Sequence, residues 1–324
     1  MHGTMYAPTK SLLTAALCVS ALWAPPLRAQ EMRTWGPAVR LDLEAVPLIT
    51  RLEIAEQWSG GVLIRWVGGD PVSHEWHLAT ATIGEDGATT VVLEPTVPDD
   101  DPHDIAQQFP DRPLVAQGPD GSLITARRSA SGESTVIWQR RAGADTGEEH
   151  SVHITHELSE HMALAVDSEG IAHFFWVVPD PNGTQLAGMV MRAALGDAAT
   201  AEAERLFITS GPFAEAEIVA TRDGAGAIHV AWSGSLHPMH PLRRTSLADA
   251  AQGGVYWSMQ TENGWMRPSY LNTGAAARVH LAPTGLPRLL PAEDGSVHAA
   301  WVLRNLDGNE VWHARLPPPL SNAP

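Results

Sequence analysis

The chain has 324 residues, with 37 Asp and Glu against 21 Lys and Arg, so its formal net charge is −16 at pH 7. A charge of this sign repels phosphate backbones and anionic headgroups, which argues against nucleic acid and acidic lipid as partners. The one cysteine, Cys18, lies in the N-terminal segment, and the rest of the chain must therefore fold without disulfides.

The first 29 residues are typical of an export signal. Lys10 supplies a positive charge, residues 11–23 are apolar, and Ala29 is a small residue suited to cleavage. The apolar run is shorter than the roughly 20 residues of a membrane-spanning helix, so no transmembrane segment is expected. Lipid attachment at Cys18 is the less favoured alternative. We expect residues 1–29 to be a cleaved signal peptide, residues 30–324 to be one domain, and the mature protein to be periplasmic or secreted.

One sequence unit recurs five times in the mature chain. A short apolar strand is followed by a glycine beside an acidic or small residue, and a second strand rich in Val, Ile, Ala and Trp follows at once. The second strands pass through Trp66, Ala126, Trp176, Trp232 and Trp301, which lie 50 to 69 residues apart. Such glycines are typical of tight hairpin turns, and such a period is typical of four-stranded propeller blades.

Third and fourth strands are predicted after most copies, most clearly at residues 254–260 and 264–271. The last copy lacks a fourth strand, whereas residues 34–41 (TWGPAVRL) share the Trp, Pro and Leu of residues 264–271 (GWMRPSYL). We therefore predict an all-β fold, a five-bladed β-propeller of four-stranded antiparallel blades, with the ring closed by the N-terminal strand completing the C-terminal blade. Residues 193–207 are rich in helix formers, which makes a helical insertion an alternative to a strand pair there.

This unit resembles that of the sialidase-like family of propellers, in which a strand, an Asp-Gly turn and an HxxW strand precede a third strand and an Asp-box turn. Residues 258–265 (SMQTENGW) resemble a degenerate Asp-box. Sialidase activity would imply three arginines, a Tyr–Glu nucleophile pair and an Asp acid. Arg112 resembles an early arginine of that family, but the mature chain has only Tyr256 and Tyr270, and the other members are unassigned. The resemblance implies the fold, on which many activities occur.

Strand order divides the connections between two ends of the blades. Turns from first to second and from third to fourth strands share one end, here called the hairpin-turn end. Connections from second to third strands and between units share the other, here called the long-connection face, where function is expected because loops on a rigid scaffold carry most sites. Five histidines in strands are instead predicted to be packed in the sheets: His173, His229, His298, His77 and His313.

The long connections are rich in His, Asp, Glu and Arg, which suits a carbohydrate ligand. A glycan hydrolase needs two carboxylates across the scissile bond, and a lyase needs a base and a cation. The catalytic candidates are His103, Asp104, Arg112 and His280. The ligand-binding candidates are Asp70, His74, Glu157 and Arg244.

A divalent metal is another interpretation of the same face. The candidate ligands for zinc or a similar ion are His156, His161, His237 and His240. Their spacing does not match a zinc helix, because the histidines of residues 156–161 (HELSEH) are one residue further apart than in HExxH. Residues 99–104 (DDDPHD) offer oxygen ligands for calcium, although a solvated acidic turn is the preferred explanation.

The sequence thus leaves open whether the protein is an enzyme. No GxSxG, phosphate-loop or dinucleotide motif occurs. The favoured interpretation is an exported β-propeller that binds or processes a carbohydrate at the long-connection face. A non-catalytic scaffold for a protein ligand is the first alternative, and a metal-dependent enzyme using the histidine cluster is the second.

Overall fold

Every regular element that the structure describes is a β-strand, as expected of an all-β chain. The computed structural model describes residues 35–41, 48–56, 61–70, 72–73, 75–84, 87–95, 114–129, 134–142, 147–159, 161–179, 187–210, 217–234, 254–271, 285–305 and 308–318. None of these residues forms a helix long and apolar enough to cross a membrane. The predicted signal peptide, residues 1–29, lies outside the described ranges and stays a prediction.

The strands form five sheets, which we number I to V. Sheet I contains β2 (Leu48–Glu56), β3 (Val62–Asp70), β4 (Glu75–Ile83) and β5 (Thr89–Pro95). Sheet II contains β6 (Leu114–Gln117), β7 (Leu123–Arg128), β8 (Thr135–Arg141) and β9 (Glu149–Ile154), with β13 (Thr200–Ala201) added beside β9. Sheet III contains β10 (Met162–Val166), β11 (Ala172–Pro179), β12 (Ala187–Leu195) and β14 (Glu204–Ser210).

The last two sheets show how the fourth strand varies. Sheet IV contains β15 (Ile218–Arg222), β16 (Ile228–Gly234) and β17 (Gly254–Thr261), and its fourth strand is split into β18 (Gly264–Trp265) and β19 (Ser269–Tyr270). Sheet V contains β20 (Gly285–Pro291), β21 (Val297–Asn305), β22 (Gly308–Leu316) and β1 (Val39–Arg40). Consecutive strands pair antiparallel within each sheet, so the five predicted four-stranded units are present.

The first hairpin turn has the same hydrogen bonds in sheets II to V. The backbone N–H of the first turn residue donates to the carbonyl oxygen of the residue four positions later. The N–H of the glycine three positions after the first residue donates to the carbonyl oxygen of that first residue. That glycine is Gly121, Gly170, Gly226 or Gly295, with φ of 80°, 84°, 91° and 80°. Residues with a Cβ rarely adopt such a φ, which explains why the sequence repeats glycine at this place.

An N-terminal strand completes the C-terminal sheet, as predicted. Val39 and Arg40 of β1 are paired with His313 and Trp312 of β22. The pairing extends beyond the strand, because Gly36 N donates to Arg315 O at 2.8 Å. Arg40 also forms a 2.9 Å ion pair with Glu310, whose side chain is only 7% exposed.

Apolar clusters lie between the sheets. Four such clusters join sheet II to III, III to IV, IV to V and V to I. The first strands follow the same order, because β6 lies against β10, β10 against β15, β15 against β20, and β20 against β2. The largest fully buried side chains include Trp176, Trp232 and Trp301 of the repeated second strands. Their recurrence in the sequence therefore reflects the packing between sheets.

A helical insertion at residues 193–207 is absent, and this alternative is wrong. Residues 187–195 form β12, whose Val190, Met191 and Ala193 are buried, and residues 204–210 form β14. Between them β13 pairs parallel with β9 of sheet II, and His153 N donates to Ala199 O at 2.8 Å. Helix propensity is worth less than 1 kcal/mol per residue, so burial of β12 between neighbouring sheets overrides it (roughly 1.5–3 kcal/mol per large apolar side chain).

Candidate functional site

Two histidines of the second strands are held by the aspartate that opens their hairpin turn. In sheet IV, Asp223 Oδ1 accepts hydrogen bonds from Ala225 N and Ala227 N, and Asp223 Oδ2 lies 3.0 Å from His229 Nε2. Trp257 Nε1 donates to His229 Nδ1 at 3.2 Å. Because Nδ1 accepts, the proton of the neutral ring is on Nε2 and is donated to Asp223.

Sheet III repeats this arrangement with one change. Asp167 Oδ2 lies 2.8 Å from His173 Nε2, but Arg192 occupies the place of Trp257, and His173 Nδ1 is buried without a partner in the described structure. Burial lowers the pKa of His173, opposed by its bond to Asp167. Burial would raise the pKa of Asp167, but its hydrogen bonds from His173 and the turn lower it overall.

Sheet V has a different partner set around its histidine. Ala292 stands where the turn aspartate would be, and His298 Nδ1 lies 2.9 Å from Nε2 of His313, the counterpart of Trp257. Burial and the nearby Arg315 cation lower the pKa of His298 from 6.5 to about 4. Burial, His298 and Arg315 lower the pKa of His313 to about 3. Both rings are therefore neutral at pH 7.

These contacts confirm that four of the five strand histidines are structural. His173, His229, His298 and His313 are all buried. The same prediction is wrong for His77, whose side chain is exposed on β4 of sheet I. The hairpin-turn end thus uses imidazole groups as internal hydrogen-bonding side chains.

Much of the predicted site falls outside the described residues. This applies to His74, His103, Asp104, Arg112, His237, His240, Arg244 and His280, and to residues 99–104 as a whole. Their assignments stay predictions. Their anchoring strands are described, however, and the antiparallel order places the ends of β5, β16 and β19 and the starts of β6, β17 and β20 at the long-connection face.

The segment between β9 and β10 brings three predicted site residues to this face. Leu158 is buried, and Glu157 O accepts a 2.9 Å hydrogen bond from the indole of Trp176. These contacts hold the backbone while the Glu157 side chain stays exposed and His156 and His161 stay half-buried. The Glu157 side chain is therefore exposed at this face, and its role as a binding residue stays a prediction.

The described part of the chain contains no group of three or more His, Cys, Asp or Glu side chains placed to hold a metal ion. Two of the predicted ligands, His156 and His161, are described, and Nδ1 of His156 lies 3.2 Å from Glu157 O. The other two, His237 and His240, are not described. The predicted metal site stays a prediction.

A polar and aromatic edge lies where β3 and β4 of sheet I meet the long-connection face. Asp70 and Glu75 are paired across the ladder, and Asp70 Oδ1 accepts a 2.8 Å hydrogen bond from Val72 N. Trp76 is half-buried and His77 is exposed beside them. Asp70 therefore stabilises its own turn through one oxygen, at an edge that also presents an indole ring.

An arginine that was not predicted from the sequence as a site residue lies among the first strands. Arg288 of β20 donates from Nε to Leu52 O of β2 at 2.9 Å, and its Nη1 lies 3.2 Å from Glu217 Oε2 at the start of β15. It therefore joins the first strands of sheets I, IV and V. About a third of the Arg288 side chain and a quarter of that of Glu217 are exposed.

The backbone of Glu217 is fixed by the second strand of its own sheet. Glu217 N donates to Ser233 Oγ, and Ser233 N donates to Glu217 O, both at 2.9 Å. Glu217 is thus placed at the long-connection end of β15, whereas Arg288 lies in the middle of β20, in the same row of the sheet as Ala300 and His313. The available sequence signal was an arginine within the otherwise apolar segment LPRLLP, residues 286–291.

No family model and no curated protein matches the chain. Matching solved structures include an alpha-L-arabinanase from Penicillium chrysogenum complexed with arabinobiose, at 11% identity over 88% of this chain and 98% of that one, with a TM-score of 0.45. An endo-arabinase from Bacteroides thetaiotaomicron matches at 12% identity over 89% and 99%, with a TM-score of 0.38. The Trypanosoma rangeli sialidase matches at 13% identity over 82% of this chain and 44% of that one, with a TM-score of 0.36. A sialidase is thus among the matches, as the resemblance predicted; with TM-scores below 0.5, they support no conclusion about activity.

Proposed function

We propose that the protein is an exported five-bladed β-propeller that binds or processes a carbohydrate at its long-connection face. The observation that carries this proposal is the partly exposed Arg288–Glu217 pair among the first strands, with Glu217 at the long-connection end of β15. A guanidinium donates hydrogen bonds and a carboxylate accepts them, and sugar hydroxyl groups do both. A charged pair left open at such a place suits a polar ligand better than an apolar one.

The closed ring is part of this proposal. Sheets II, III, IV, V and I are packed in this order, each against the next, through shared apolar clusters. Strand β1 is the outermost strand of sheet V. Packing of sheet I against sheet II would complete five blades and would surround the Arg288–Glu217 pair with five connections between blades. Closure of this kind would also leave neither sheet I nor sheet II at an open end of the row of sheets.

Within the proposed site the residues divide by chemistry. Glu157, with Asp70 and the ring of Trp76 further out, offers acceptors and a stacking surface, and His74 and Arg244 extend the binding set. His103, Asp104, Arg112 and His280 are the proposed catalytic residues, because together they supply a base, an acid and a cation. They come from residues 96–113 and 272–284, which join successive sheets at this face.

Binding of soluble polysaccharides tests the proposal. A neutral β-glucan and an acidic polygalacturonate would be titrated calorimetrically into the protein and into the Arg288→Gln variant, followed by an assay for new reducing ends. We expect one of the two to bind and Arg288→Gln to weaken that binding at least tenfold, since a charged hydrogen bond is worth about 1.5–3 kcal/mol.

Arg192→Gln is the matched control, because Arg192 pairs with Glu204 at 3.8 Å on the third and fourth strands of sheet III and not among the first strands. It should leave binding unchanged, and thermal melting of both variants separates lost binding from lost folding. Binding without new reducing ends would make the protein a carbohydrate-binding module. Absence of binding to both polysaccharides, with a protein that co-purifies, would replace the proposal by the interaction scaffold.

A further inference from the structure

Sheet V contains two buried histidines in direct contact. His298 and His313 are 8% and 6% exposed, and their rings stack at 5.2 Å between centroids. The 2.9 Å distance between His298 Nδ1 and His313 Nε2 leaves room for one shared proton. A charge on both rings would place two N–H groups and two positive charges against each other, which this contact cannot accommodate.

The surroundings give a positive charge on this pair little support. Arg315 adds a further cation, and its guanidinium pairs with Asp294 of the hairpin turn. His298 also has the neutral Ser296 Oγ at 3.4 Å, and the Asp294 carboxylate favours a charge on His298 but is outweighed by burial and by Arg315. In the adjacent turn of sheet IV, Asp223 is bonded to His229, and beside β1, Glu310 is bonded to Arg40.

One histidine of the pair, His313, lies on the strand next to the N-terminal strand. Val39 of β1 is the ladder partner of His313, and β1 contains only two residues. Hydrogen bonds from Gly36 N to Arg315 O and from Leu41 N to Val311 O extend its attachment to β22. A short edge strand of this kind is the type of element that opens without unfolding of the whole domain.

We propose that the His298–His313 pair is an acid-sensitive clasp, and that its protonation releases β1 from β22 and opens sheet V.

The direction of the effect follows from proton binding. In the closed state the pKa of His298 is about 4 and that of His313 about 3, whereas an exposed histidine has a pKa of 6.5. The opened state therefore binds more protons as the pH falls from about 6.5 towards 4, and closure is lost progressively over that window. Above pH 6.5 both states are neutral, and the clasp stays closed.

Hydrogen exchange of the backbone amides tests this. The purified protein would be compared at pH 7 and pH 5, with rates corrected for intrinsic exchange. We expect protection of residues 36–41 and of β22 to fall at least tenfold at pH 5, since each histidine that is free to titrate contributes up to about 30-fold at that pH. The first hairpin of sheet II, which has no histidine, should keep its protection.

The double variant His298→Ile/His313→Trp copies the pair Ile124 and Trp138 found at the same places in sheet II. It should remove the pH dependence of β1. Equal protection of β1 at both pH values in the natural protein, or an unchanged loss in a folded double variant, would overturn the proposal.

Ala292→Asp tests the clasp if the double variant does not fold. The new carboxylate would occupy the place of Asp223 and accept the proton of His298, as Asp223 does for His229. A charged His298 is then stabilised in the closed state, so the loss of protection at pH 5 should shrink several-fold. A loss as large as in the natural protein would contradict the proposal.

Discussion

The first hairpin turns of sheets IV and V have the same backbone hydrogen bonds, but the histidine that follows each turn has different side-chain partners. Sheet IV surrounds His229 with Asp223 and Trp257, which fix its tautomer and use both ring nitrogens. Sheet V has Ala292 and His313 at these places, which leaves its histidines dependent on each other and on staying neutral. The partners of a buried histidine, and not its position in the repeat, therefore decide whether that histidine fixes the fold or makes it sensitive to acid.

The largest effect is expected from breaking the network of sheet IV. Asp223→Ala removes a buried carboxylate that accepts bonds from two backbone N–H groups and from His229. Leaving these donors without an acceptor should lower the free energy of unfolding by about 3 kcal/mol. Urea denaturation at pH 7 measures the change. A loss below about 1 kcal/mol would show that the hydrogen bonds of Asp223 contribute little to stability.

Replacing an indole by a phenyl ring compares sheet IV with sheet II. Trp257→Phe removes the donor to His229 Nδ1, whereas Trp138→Phe removes an N–H that has no partner in the described structure. Both changes lose similar apolar area. We expect Trp257→Phe to destabilise the protein by about 1 kcal/mol more than Trp138→Phe, the worth of one hydrogen bond, by the same denaturation measurement. Equal losses would mean that the bond to His229 contributes nothing.

The smallest effect is expected from making sheet V more like sheet IV. Ala292→Asp supplies an acceptor for His298, whereas Ser296 N of the turn already donates to Asp294 Oδ1 at 2.8 Å, so the change should stabilise the protein by only about 0.5–1 kcal/mol at pH 7. The new carboxylate should also raise the pKa of His298. A proton NMR titration of the histidine ring signals measures that pKa. An unchanged or lower value would show that the aspartate does not reach the ring.

The sequence predicted what depends on local pattern. Turn glycines, the spacing of Trp66, Trp176, Trp232 and Trp301, and the match between the N-terminal strand and the fourth strand of sheet IV specified the sheets because each reflects one repeated geometry. The helical alternative for residues 193–207 was wrong because their helix propensity is outweighed by burial of β12 between neighbouring sheets.

The Arg288–Glu217 pair could not be read from the sequence. Glu217 lies 71 residues and Leu52 lies 236 residues from Arg288 along the chain, so only the packing of the first strands brings them together. Exposure of His77 was missed for a related reason, since the pattern of a third strand does not say which of its side chains a neighbour covers.

We propose that a ligand binds at the long-connection face and leaves the hairpin-turn end unchanged. Hydrogen exchange measured with and without the bound polysaccharide distinguishes the two ends. We expect added protection at residues 217–218, 285–288 and 75–77, and none at the turns 118–122, 167–171 and 223–227. Added protection confined to those turns would contradict it.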